Sequence, residues 1–214
     1  MAIPFFDPQN HFWGAIGKFA DVLVLSLLWL FCSLPVFTIG AATTALYDAA
    51  ARCVRGGENG PYERFFRTFR REFAVSTAVT VVWGVLLAAL GALLGLLWGA
   101  AKGGAVTAAA VACSFLFLLI PVGAACWMFP LLSRFTFRPV GLMLAGLRFA
   151  VGYLPYTAAI AAITAAAALA CGFLWLPALV LPCLTALLWS LMMERVFRKH
   201  TPEGEPPPPE EEAA

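Results

Sequence analysis

Five stretches of about twenty apolar residues divide this chain, each long enough to cross the ~30 Å hydrocarbon core of a bilayer. They run Phe19–Ile39, Ala74–Trp98, Ala105–Phe129, Phe149–Ala170 and Phe173–Met193. The last two are separated by little more than Cys171 and Gly172, which predicts a tight helical hairpin. Composition agrees: 62% of the 214 residues are hydrophobic and 12% charged, against about 25% charged in soluble domains. The short alternating segments of a transmembrane β-barrel are not seen. The expected fold is therefore all-α, a polytopic transmembrane bundle of about five spans. Residues 1–200 would form one integral membrane domain, and 201–214, proline-rich and acidic, a disordered tail.

The loops alternate in positive charge. The first carries Arg52, Arg55, Arg64, Arg67, Arg70 and Arg71, the second only Lys102, and the third Arg134, Arg138 and Arg148. The fourth carries none, and the C-terminal flank carries Arg195, Arg198 and Lys199. Positive loops stay cytoplasmic, so five spans predict an N-terminus outside and a C-terminus in the cytoplasm. No basic region precedes the first apolar run and no small-residue cleavage site follows it, so that span is expected to be retained.

The first span ends unusually, in Ser33-Leu34-Pro35-Val36-Phe37-Thr38-Ile39-Gly40. Proline removes a backbone donor and breaks the helix, and Gly40 is a natural left-handed stop. A second helix of about 14 residues then restarts, with Asp48 and Arg52 four apart on one face. Two placements are open, near the cytoplasmic face or dipping back into the bundle. Pro35, Thr38, Gly40, Thr44, Tyr47 and Asp48 are the candidate residues for a functional break or ligand contact, because broken helices expose backbone groups in transporters. The plainer reading is a structural turn.

This stretch, followed by the Arg64-to-Phe73 segment "RFFRTFRREF", resembles the YesL family, domain of unknown function 624. Leu34, Pro35, Thr38, Ile39, Gly40, Ala41, Ala42, Thr44, Ala45, Leu46, Tyr47, Phe65, Phe66 and Phe73 carry the resemblance over the first third of the chain. It implies a bacterial integral membrane protein of about five spans, in a family often encoded beside carbohydrate-uptake genes. It implies no catalytic residue.

Pro61–Phe73 reads as an amphipathic cytoplasmic helix with proline at its first position. Arg64, Phe65, Phe66, Arg67, Arg70 and Arg71 are its candidate interfacial or docking residues. Anchoring on the anionic leaflet is the simpler use, and docking a cytoplasmic partner such as an ATPase is the alternative. Gly91, Gly95 and Gly99 form a small-residue stripe suited to close helix packing, expected within the bundle rather than between copies. The Ala-rich fourth span should pack similarly. Pro121, Pro130, Pro177 and Pro182 predict kinks or breaks. The six cysteines, Cys32, Cys53, Cys113, Cys126, Cys171 and Cys183, form no C-x-x-C pair and read as small buried side chains.

The net charge of +2 gives nucleic-acid binding no support. The span centres hold almost no ionisable group, and no metalloprotease, nucleophile-elbow or phosphate-loop motif occurs. The expectation is a non-enzyme without cofactor or metal. It would be an accessory or regulatory subunit of carbohydrate uptake in the bacterial cytoplasmic membrane, with the lipid bilayer and sugar ABC transporter subunits as partners. A small-solute, sugar-like carrier or substrate-binding subunit is the alternative. On that reading Thr38→Val or Gly40→Leu reduces binding with the fold intact.

Overall fold

A computed structural model describes residues 11–100, 105–135, 138–173 and 176–200. The expected tail at 201–214 and the single charge of the second loop, Lys102, lie outside them. Every regular element among the described residues is helical. The long helices are α1 (His11–Cys32), α3 (Pro61–Ala100), α4 (Ala105–Arg134), α6 (Leu154–Phe173) and α7 (Leu181–His200), and α2 (Ile39–Ala49) and α5 (Pro139–Gly152) are shorter. Pro61–Leu96, Phe117–Arg134 and Leu154–Gly172 are long and apolar enough to cross a membrane, and Pro139–Gly152 and Leu181–Met193 are shorter apolar helices.

Several boundaries differ from the expected spans. α1 stops at Cys32, not Ile39, because Pro35 is extended (φ −76°, ψ 117°) and disfavours helix in the residue before it. Pro61–Phe73 is no separate helix. It forms the first turns of the 40-residue α3, about 60 Å long. α4 runs on past Phe129 through both Pro121 and Pro130. The segment Pro139–Gly152, read in the sequence as loop and span start, is its own helix, ended by Tyr153 (φ −122°, ψ 47°). Pro177 lies in a 3₁₀ turn (Leu176–Leu179), and Pro182 is the second residue of α7, where a missing N–H costs nothing. Neither proline kinks a span. Gly40 is no left-handed stop: among the described residues the positive-φ ones are Gly57 and Gly60, both at 78°, in the turn before α3.

Hydrogen bonds fix the helix directions. Trp29 Nε1 donates to Thr43 Oγ1 at 3.2 Å, so α1 and α2 form an antiparallel hairpin around the Pro35 turn. Against α3, Gly40 lies beside Ser76 and Thr80, while Asp48 bonds Arg64 and Thr68. α2 is thus antiparallel to α3 as well. α1 and α3 start at one end, where Tyr62 Oη donates to Asp21 Oδ1 at 2.6 Å. α7 runs back to that end: Cys183 N–H meets Ser26 Oγ, and further along Ser190 Oγ accepts from Arg55 Nη1 at 3.0 Å. The start of α1, the arginines after α2 and the end of α7 therefore share one end of the bundle. α2, with the π-helical turn Ala50–Arg55, is the short helix expected after the break, and it returns alongside α1.

The core forms on both sides of α2. Nine of its eleven residues are buried, which excludes a helix lying on the membrane surface. One cluster joins Val22 and Leu25 of α1 to Ala45, Leu46, Ala49, Phe65, Cys183 and Ala186. The other joins Tyr47 and Val79 to Trp127, Leu131, Ile160, Trp189 and Met193. Cys53, Cys126 and Cys183 are buried as expected, whereas Cys113 is exposed. The Ala-rich α6 does not pack as expected: only 11% of its apolar window is buried.

The link from α1 to α7 gives one measurable consequence. Cys183 is in the first turn of α7, where N–H groups lack intrahelical partners, and Ser26 Oγ accepts its hydrogen at 3.2 Å with both residues buried. Ser26→Ala removes this cap from another helix and should cost about 1 kcal/mol. The melting temperature in detergent should drop by roughly 2–4 °C.

Candidate functional site

The break and α2 meet α3 in a buried polar node within an apolar protein. Thr38 Oγ1 lies 2.5 Å from the Cys32 carbonyl oxygen and 2.6 Å from that of Pro35, so its one proton serves carbonyls left open where α1 ends. Thr43 and Thr44 donate to the carbonyls of Ile39 and Gly40, four residues back, at 2.7 and 2.9 Å. These hydroxyls are satisfied by their own helix, which lets α2 be buried with polar side chains.

Asp48 is the centre of the node. It is 3% exposed. Its Oδ2 accepts from Arg64 Nε at 2.9 Å and from Thr68 Oγ1 at 2.8 Å. Its Oδ1 lies 3.1 Å from Arg52 Nε, close enough for ionic attraction but off the line of a hydrogen bond. Arg64 also donates through Nη1 to Glu58 Oε2 at 2.7 Å. One carboxylate thus joins α2, the following turn and α3. Tyr47, the neighbouring residue, is fully buried. Burial pushes its phenol up to about 12, against the pull of Arg134 and Arg55, so it stays neutral near pH 7. Its hydroxyl has no hydrogen-bond partner among the described residues.

The α3 face toward α2 is the row Phe65, Thr68, Glu72, Ser76 and Val79, all buried at helical spacing. Glu72 and Thr68 were missed in the sequence, where polar residues among arginines read as a solvated face. Their spacing of three and seven from Phe65 was the available signal. Glu72 Oε1 accepts from Arg71 Nε at 2.7 Å.

The six docking candidates split. Phe65 is fully buried in the core, and Arg64 turns inward to Asp48, so neither presents to a partner. Phe66, Arg67, Arg70 and Arg71 are exposed. Arg67 pairs with Glu63 at 2.7 Å, four residues back. Phe65 stacks on Phe69, while Phe66 meets Phe65 and Phe73 meets Phe69 edge-on, with centroids 5.5–6.2 Å apart, which stiffens this end of α3.

Small residues do two different jobs. At Gly40 an added Cβ would stand 2.0 Å from Thr80 Oγ1, 2.6 Å from Phe129 Cε1 and 3.1 Å from the Ser76 carbonyl oxygen. Gly40 is required by close packing of α2 on α3 and α4. Among the described residues, nothing lies within 4 Å of such a Cβ at Gly91, Gly95 or Gly99, the stripe expected to pack inside the bundle. Gly91 and Gly95 border an apolar hollow of about 240 Å³ between α3 and α4, beside Trp98 and Ser114. Among the described residues no group of three His, Cys, Asp or Glu side chains could hold a metal ion.

This geometry defines an all-helical protein with membrane-spanning helices and a buried salt-bridge node. The family model described as "Protein of unknown function, DUF624" matches residues 22–93, from α1 through α2 into the apolar half of α3. That is the YesL family read in the sequence, and the matched third of the chain contains the hairpin, the node and the exposed arginines. No curated protein and no solved structure matches the chain.

Proposed function

We propose that this protein is a non-catalytic accessory or regulatory subunit associated with carbohydrate uptake in the bacterial cytoplasmic membrane, with the end of α7 on the cytoplasmic side. The link to carbohydrate rests on the family resemblance. The observation that carries the docking role is the first part of α3. Asp48 binds Arg64 and Thr68 on its inner face, so Phe66, Arg67 and Arg70 on its outer face are held out by a rigid helix continuous with a membrane span. A pre-organised basic and aromatic face suits a protein partner, because little order is lost on binding. The expected partner is a sugar ABC transporter permease or ATPase.

The carrier reading asks for a solute at the Pro35–Gly40 break. Gly40 is already in contact with Thr80 and Phe129, and the Cys32 and Pro35 carbonyls are served by Thr38. Packing there favours the accessory role. The photoreactive residue p-benzoylphenylalanine in place of Phe66 tests it in native membranes. A cross-link to a transporter subunit is the expected result. Adducts with lipid alone would contradict the docking role.

A further inference from the structure

We propose that α1 and α2 form a re-entrant hairpin that enters and leaves the bilayer on one side, with its tip among acyl chains of the near leaflet. The directions follow from contacts at three levels. At the base, Asp21 meets Tyr62, and Asp48 meets Arg52 and Arg64. Half-way, Trp29 bonds Thr43. At the tip, Gly40 abuts Ser76 and Thr80 of α3. On α3 the exposed Arg71 marks the near face, and Ser76 and Thr80 lie five and nine residues further on, ~8–14 Å at 1.5 Å per residue, within one leaflet of a ~30 Å hydrocarbon core. The hairpin is too short to reach the far side if its charged base is held at the near one.

The tip chemistry names the occupant. Phe31, Leu34, Val36 and Phe37 are 66%, 73%, 75% and 50% exposed. A turn in water would not keep four large apolar side chains outward, and irregular backbone deep in hydrocarbon is tolerated only where protein buries it or water reaches it, so the turn belongs in the outer part of one leaflet. At this turn Ser33 N–H bonds the Trp29 carbonyl, Leu34 N–H the Phe31 carbonyl and Thr38 N–H the Pro35 carbonyl, and the Thr38 hydroxyl donates to the Cys32 and Pro35 carbonyls. The tip lies at the depth of Ser76–Thr80, where the exposed belt of α3 begins with Val81, Val82 and Val85. The two form one continuous apolar surface, and that continuity with a spanning helix selects lipid over a second protein.

Two measurements on the full chain test this. Topology reporters fused before residue 1 and after Ala214 should read the same side of the membrane, since the start of α1 and the end of α7 share one end. Opposite sides would overturn the hairpin. Separately, p-benzoylphenylalanine in place of Phe37 should give a lipid-mass adduct on irradiation in native membranes, as should the same residue in place of Leu86 on the α3 belt as a positive control. With that control positive, a protein cross-link or an unmodified chain at position 37 would overturn the lipid-covered tip. Neither measurement depends on a transporter partner, so the hairpin and the accessory role stand or fall separately.

Discussion

Gly40→Leu is expected to yield little or no monodisperse protein in detergent. Leucine's Cβ would start 2.0 Å from Thr80 Oγ1, with Phe129 and the Ser76 backbone closing the other sides. Thr80 cannot simply turn away, because its hydroxyl already donates to the Ser76 carbonyl at 2.7 Å. Overpacking of this kind costs about 1–3 kcal/mol or more, and here helix backbone must separate, so the upper end applies. α2 is the element between both core clusters, and displacing it opens each. Gly95→Leu, with nothing within 4 Å, is the matched control and should change the melting temperature by less than about 2 °C. Size-exclusion profiles of both variants decide the matter. A well-folded Gly40→Leu protein would show that the α2–α3–α4 contact is not tight. This reverses the carrier expectation, in which the same variant folds and loses only a ligand.

Asp48→Ala carries the second large effect. The carboxylate is almost fully buried and is shared by Arg64, Thr68 and Arg52, whose guanidinium groups are a quarter to a third exposed. Removing one partner of a buried pair costs about 3–5 kcal/mol. Because both arginines can turn partly to solvent, about 3 kcal/mol is expected, a fall of roughly 6–12 °C in melting temperature. Arg64→Ala should cost less, since Asp48 keeps Thr68 and Arg52. The double variant should cost less than the sum of the two, and additive losses would mean that the pair does not interact. The Asp48→Ala variant should also weaken any cross-link from position 66, because the arm then loses its inner anchor.

How far these features could be read from residues alone varies with their physics. Pro35 announces a helix end by covalent geometry, and α1 stops three residues before it. The direction of the next helix was hidden. α2 and its π-helical turn carry Thr43, Thr44, Asp48, Arg52 and Arg55, and that polarity left a surface placement open beside the buried one, although the helix is nearly all buried. Asp48 and Arg52 were legible as an i,i+4 pair, but Arg64 and Thr68 join them from sixteen and twenty residues away. α5 was hidden because it has no polar break before α6: only the backbone of Tyr153 separates them. The glycines looked alike in sequence, yet Gly40 is packed on three sides and Gly95 on none, a difference set by neighbours distant in the chain.

The accessory role is the central functional proposal, and its most direct test is purification of the tagged full-length protein from native membranes in mild detergent, with quantitative mass spectrometry. The account predicts stoichiometric recovery of a sugar-transporter permease or ATPase, lost when Phe66→Glu and Arg70→Glu are combined in a chain that still melts normally. Recovery of this chain alone from membranes that contain the transporter would contradict it.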